Sequence, residues 1–80
     1  MSGIKETLFN RFKVAREMIG QSWRTKLAKH DDYFNSLEGA RTMEQAASTS
    51  QGRPRISIDR LARITKALEE VAGIDHEAIV

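Results

Sequence analysis

The sequence predicts an all-α fold, a compact domain of four to five short helices, on three observations. Apolar residues recur at helical spacing in two long stretches, residues 4–19 and 58–72. Each stretch closes on a glycine, Gly20 and Gly73. Serine or aspartate stands where the next helix must open, at Ser22, Asp31, Ser57 and Asp75.

In the first helix, Leu8, Phe12, Ala15 and Ile19 form one stripe, which Ile4 extends and Phe9, Val14 and Met18 widen. Lys5, Arg11, Lys13 and Arg16 lie mostly elsewhere. Gly20 is placed to end this helix in a left-handed conformation, and Ser22 to cap a second, shorter one from Trp23 to about His30, with Trp23 and Leu27 as its buried side. Asp31 and Asp32 suit the amino end of a third helix, Tyr33 to about Gly39, with Tyr33, Phe34 and Leu37 facing inward. Residues 40–51 are poor in large apolar side chains, so a flexible loop is expected over about 40–56, with a frayed turn around 42–47.

Pro54, between Arg53 and Arg55, makes a stiff basic turn directly before Ser57, the expected cap of the fourth helix. There Leu61, Ile64, Thr65, Leu68, Val71 and Ala72 form a continuous stripe, with Arg60, Arg63, Lys66, Glu69 and Glu70 mostly outside it. Ile74 offers the hydrophobic contact that accompanies a glycine stop at Gly73, and Asp75 is placed to cap a last short turn through Ala78 to Val80. The five glycines are isolated, each where a helix or loop is expected to end.

Eighty residues make a single domain, 1–80, with a thin stability margin that a homodimer or another partner would relieve. Apolar residues at 40% and charged residues at 30% are those of a soluble globular protein. No apolar run approaches the roughly 20 residues that span a bilayer, and the amino end lacks the order of a signal peptide, so no membrane association and a cytoplasmic location are expected. The absence of cysteine excludes disulfides, thiolate metal sites and cysteine nucleophiles. Net charge is +2 but lopsided: +5 over residues 1–30, −1 over 31–55 and −2 over 56–80. A basic amino-terminal portion is compatible with a phosphate-facing surface, and equally with a solvated helix face.

His30 and His76 have no partner at metal-ligand spacing, and Asp31 and Asp32 beside His30 are accounted for as caps. No glycine-rich phosphate loop occurs. A non-enzymatic chain without metal or other cofactor is expected. Trp23, Tyr33 and Phe34 read as core before they read as an aromatic patch.

The run Arg16-Glu17-Met18-Ile19-Gly20-Gln21-Ser22-Trp23-Arg24-Thr25-Lys26-Leu27-Ala28 resembles the opening of the Cro/C1 (XRE) type of helix-turn-helix regulators. There an Arg-Glu pair closes the first helix, a glycine turns the chain, a serine caps the next helix and a Leu-Ala pair packs it. The run from Arg53 to Leu68 resembles the family's fourth helix, and Ile74 to Ile79 its short fifth. The sequence departs from the family between Ala28 and Glu38, which is short and lacks the turn glycine, and carries an insertion over residues 42–52.

The resemblance implies a helix-turn-helix-like domain that regulates transcription by binding duplex DNA, with the third helix in the major groove. Asn35, Ser36 and Arg41 would then face bases or phosphates. Arg24, Lys26, Lys29, Arg53 and Arg55 would supply sequence-independent affinity. In an alternative register the second helix, Ser22 to His30, does the reading, which suits its charge. A different class of function stays open: a protein-binding antiactivator or adaptor, of phage or mobile-element type, that inhibits another transcription factor. Exposed apolar side chains among Phe9, Val14, Met18, Ile74, Ile79 and Val80 would favour that class, and a contiguous basic ridge would favour DNA. The short alternation Arg53 to Ile58 leaves a ribbon-helix-helix dimer as a third arrangement.

Overall fold

A computed structural model of the chain describes residues 3–48 and 56–74. Four α-helices, α1 (Ile4–Ile19), α2 (Trp23–His30), α3 (Leu37–Ala47) and α4 (Ile58–Ala72), and one 3₁₀ helix (Asp32–Asn35) account for nearly all of them, and no strand occurs among the described residues. The expected all-α fold is what the described residues form, with four of the four to five expected helices among them. Residues 49–55, which include Arg53, Pro54 and Arg55, and residues 75–80, the expected last helical turn with Ile79 and Val80, lie outside the described part.

The centre of the molecule is the contact between α1 and α4. Leu8, Phe12 and Ala15 of α1 and Leu61, Ile64, Ala67 and Leu68 of α4 are buried in one cluster, which Trp23 and Leu27 of α2, Phe34 of the 3₁₀ helix, Met43 and Ala46 of α3, and Ile56 complete. Leu8 meets Thr65 and Arg11 meets Glu69, so the register of the two helices advances together and they run in the same sense. The Thr65 hydroxyl donates to the Leu8 carbonyl at 3.3 Å, which keeps a buried polar side chain satisfied inside the packed seam.

At the start of α4, the Ser57 hydroxyl accepts from the Arg60 amide at 3.3 Å, and Ile56 and Leu61, on either side of this cap, are both fully buried. That is the pattern of a hydrophobic staple. At its end, Gly73 adopts φ 79° and ψ 19°, its amide donates to Glu70 and the Ile74 amide to Glu69, and Ile74 packs against the core. This double bond pattern is the Schellman stop expected at that glycine.

Several expectations are corrected. The third helix does not run from Tyr33 to Gly39. Asp31 caps a 3₁₀ helix by accepting from the Tyr33 amide, and Ser36 interrupts the chain and caps a new helix by accepting from the Gly39 amide at 3.1 Å. That new helix, α3, continues through Ala47, across the first part of the stretch expected to be a loop over 40–56. The reason is a buried stripe: Gly39, Thr42, Met43 and Ala46 recur at helical spacing and are all buried. Leu37 consequently points away from the core and is 72% exposed.

Gly39 is the third residue of α3 rather than its end, and it packs against the 3₁₀ helix so tightly that a Cβ there would overlap the Tyr33 carbonyl and lie 2.5 Å from the Phe34 Cα. Ser22 precedes α2 as expected, but its side chain makes no cap bond. Gly20 takes a positive φ of 94° with ψ −160°, so it turns the chain without entering the left-handed helical region.

Glu69, read as an outer residue, is buried, because Arg11 reaches it across the α1–α4 seam. The guanidinium donates to both carboxylate oxygens, at 2.9 Å from Nε and 2.6 Å from Nη2. This hydrogen bonding, outweighing partial burial and reinforced by the carboxylate charge, holds the arginine above its ordinary pKa. A raised cationic pKa stabilises the fold below the arginine's unfolded value and loses that contribution only as pH rises through the folded one. The pair is therefore tested by substitution and not by titration. Arg11→Met removes one partner of a buried carboxylate, but the arginine is 40% exposed and water can replace part of what it gives, so the expected loss is about 1 to 2 kcal/mol in urea denaturation.

Candidate nucleic-acid interface

Lys13, Arg16 and Arg24, from two helices, each lie over a ring of one aromatic cluster. Phe9 and Phe12 stack in α1 with centroids 6.4 Å apart, and Phe12 meets the edge of Trp23, the first residue of α2, at 5.6 Å. The three rings form a row, and each carries a cation: Lys13 lies 5.6 Å from the Phe9 centroid, Arg16 5.7 Å from Phe12 and Arg24 5.1 Å from Trp23. Phe12 and Trp23 are buried and Phe9 is half-buried. The rings thus hold the stems and heads of the cations in place and are not open to a stacked base. What the row presents outward is charge.

Along α2, Trp23 and Leu27 face the core, while Arg24, Thr25, Lys26 and Lys29 are exposed. α2 itself carries no carboxylate. Its carboxy-terminal end is tied to α4 by His30 Nε2 and Glu70 Oε1, 2.8 Å apart. Arg24, Lys26 and Lys29, named from the sequence, therefore sit together on one helix. Lys13 and Arg16, which the sequence reading placed only outside the apolar stripe, join Arg24 through the ring row.

The remaining sequence-named residues stand elsewhere. Asn35 donates from Nδ2 to the Ala28 carbonyl at 3.0 Å and to Asp32 at 3.1 Å, and Ser36 donates to the Tyr33 carbonyl at 2.6 Å while accepting from Gly39. Both side chains are occupied in joining α2, the 3₁₀ helix and α3. Arg41 is exposed on the outer face of α3, among Leu37, Glu38, Glu44 and Gln45, and Glu38 is engaged by Arg60 at 3.3 Å. Arg53 and Arg55 lie outside the described residues. Six residues, 31–36, separate α2 from α3, and both helices pack against the 3₁₀ helix and α4. This connection is longer than the 3–4-residue turn of a tight helix-turn-helix.

On the other flank of α1, Val14 and Met18 are 54% and 61% exposed. With Asn10, Arg11, Glu69 and Ile74 they line an open, apolar groove of about 390 Å³. Among the described residues, no cluster of three His, Asp or Glu side chains could hold a metal ion, and no helix is long and apolar enough to cross a membrane. No family model matches the chain, and neither a curated protein nor a solved structure does so.

Proposed function

We propose that the chain is a small, non-enzymatic regulator that binds duplex DNA, in the manner of a divergent helix-turn-helix protein, through the surface formed by α2 and the adjoining flank of α1. The observation that carries this reading is the set of three contacting rings, over each of which one cation lies, Lys13, Arg16 and Arg24, joined by Lys26 and Lys29 on α2, a helix with no carboxylate of its own. Cations so held match a phosphate backbone. Because the rings beneath them are covered, the surface favours the charged exterior of a duplex over the exposed bases of a single strand.

The test is duplex binding as a function of salt. Four phosphate contacts, from Lys13, Arg16, Arg24 and Lys26, would give a slope of log K against log salt of about −3.6, so affinity should fall roughly 150-fold between 50 and 200 mM salt. A chain that binds no duplex at 50 mM salt does not have this function.

A second reading, a protein-binding antiactivator or adaptor, is favoured by a separate observation: exposed Val14 and Met18 beside Ile74 make an apolar groove on the flank of α1 away from the cations. Capture of the tagged chain with its partners, before and after nuclease treatment, separates the two. Retention that survives nuclease supports the protein reading, and retention abolished by nuclease supports DNA.

A further inference from the structure

Resting on the duplex-binding reading above, we infer that α2, and not α3, is the element that reads base sequence, with Thr25 and Lys29 as its specificity-determining residues and Arg24 and Lys26 as the phosphate contacts on either side. The argument is the helical position of each residue relative to the core. In α2 the buried pair Trp23 and Leu27 defines the inner side. At 100° per residue, Thr25 and its i+4 neighbour Lys29 lie directly opposite, at the crest of the outer face. Arg24 and Lys26 fall to the two sides of that crest.

A helix laid into a major groove needs this division of labour: hydrogen-bonding side chains along the line that reaches the base edges, and cations along the two shoulders that meet the phosphate strands. Arg16 lies over Phe12, the ring that contacts Trp23 beneath Arg24, so the cationic surface continues from α2 onto α1.

The same construction on α3 gives a different surface. Its inner side is Gly39, Thr42, Met43 and Ala46. The crest opposite them carries Leu37, Arg41 and Glu44, so an exposed apolar side chain and a carboxylate would face the groove floor. Glu38 lies beside them, engaged by Arg60. The polar groups at the amino end of this helix, Asn35 and Ser36, are consumed as donors and acceptors within the fold. A carboxylate near phosphate repels, and side chains already bonded to the protein's own backbone are not free to discriminate between bases.

The experiment is selection of preferred sequences from a duplex library with random positions, carried out on the intact chain and on two double variants, Thr25→Asn/Lys29→Gln and Arg41→Ala/Gln45→Ala. All four positions are exposed, and circular dichroism melting checks that both variants keep the fold. The expected result is that the α2 variant selects a different consensus, with discrimination at one or more positions changed about 10-fold or more, while the α3 variant selects the original one. An unchanged consensus in the α2 variant, or one that moves with the α3 variant, overturns the inference and leaves duplex binding standing. Binding with no consensus in the intact chain also overturns it, as a surface that reads only phosphate. Failure of the intact chain to retain any duplex removes the reading on which the inference rests.

Discussion

Gly39→Val is expected to leave the chain without a cooperative thermal transition, and Gly39→Ala to lose about 3 kcal/mol relative to the unsubstituted protein in urea denaturation. In an ordinary helix interior the alanine substitution would gain about 1 kcal/mol, because glycine is the more costly residue to order. Here the sign reverses. The added Cβ would overlap the Tyr33 carbonyl oxygen and sit 2.5 Å from the Phe34 Cα and 2.7 Å from the Tyr33 carbonyl carbon. All three neighbours are backbone, so no side chain can swing away.

Relief requires α3 to withdraw from the 3₁₀ helix. That withdrawal would weaken the Ser36 cap on the Gly39 amide, the 3.2 Å contact between the Tyr33 and Thr42 hydroxyls, and the burial of Phe34. An 80-residue domain has a total stability of about 4 to 12 kcal/mol, so a loss of this size removes much of the margin, and the two further methyls of valine exceed it. Gly73→Ala is the control. That position has φ 79° and nothing within 4 Å of an added Cβ, so only backbone strain acts, at about 1 kcal/mol. If Gly39→Ala and Gly73→Ala lose equal stability, the close helix approach at Gly39 is wrong.

The parts of this architecture that were legible in the sequence are those written in large apolar residues and caps. The α4 stripe from Leu61 to Ala72, the Ser57 cap and the Gly73 stop all stand where the pattern puts them. α3 was missed although its buried stripe, Gly39, Thr42, Met43 and Ala46, recurs at helical spacing: Met43 is its one large apolar residue, and the glycine and the polar tract that follows read as a stop and a loop. The burial of Glu69 had no local sign at all: its partner Arg11 is 58 positions away.

In the candidate interface, Arg24, Lys26 and Lys29 were readable as exposed cations on α2. Lys13 and Arg16 were missed, although a signal existed. Each follows a phenylalanine by four residues, Phe9 to Lys13 and Phe12 to Arg16, which is the spacing that sets a cation beside a ring on a helix. Asn35 and Ser36 look the same in sequence whether they contact a base or cap a helix, and only the hydrogen bonds separate the two uses.

The triple variant Lys13→Ala/Arg16→Ala/Arg24→Ala is expected to bind duplex about 100-fold more weakly at 50 mM salt, and its salt slope should be shallower by about 3. Each cation that meets a phosphate releases close to one counterion, so three lost contacts remove about 2.7 from the slope. Between 50 and 200 mM salt the unsubstituted chain should therefore lose roughly 40-fold more affinity than the variant does. The slope is the diagnostic quantity, because a variant that merely unfolds loses amplitude without changing the slope of the folded fraction. Arg24 is exposed and Arg16 half-buried over the already buried Phe12, so truncation uncovers some ring surface, and the fold is expected to weaken by no more than about 1 kcal/mol. The matched control, Lys66→Ala/Arg41→Ala, removes two exposed cations from α4 and α3, outside the ring row. An equal loss of affinity and slope per charge in this control would mean that binding is spread over the whole molecule, and the ring-seated cations would hold no privileged place in it.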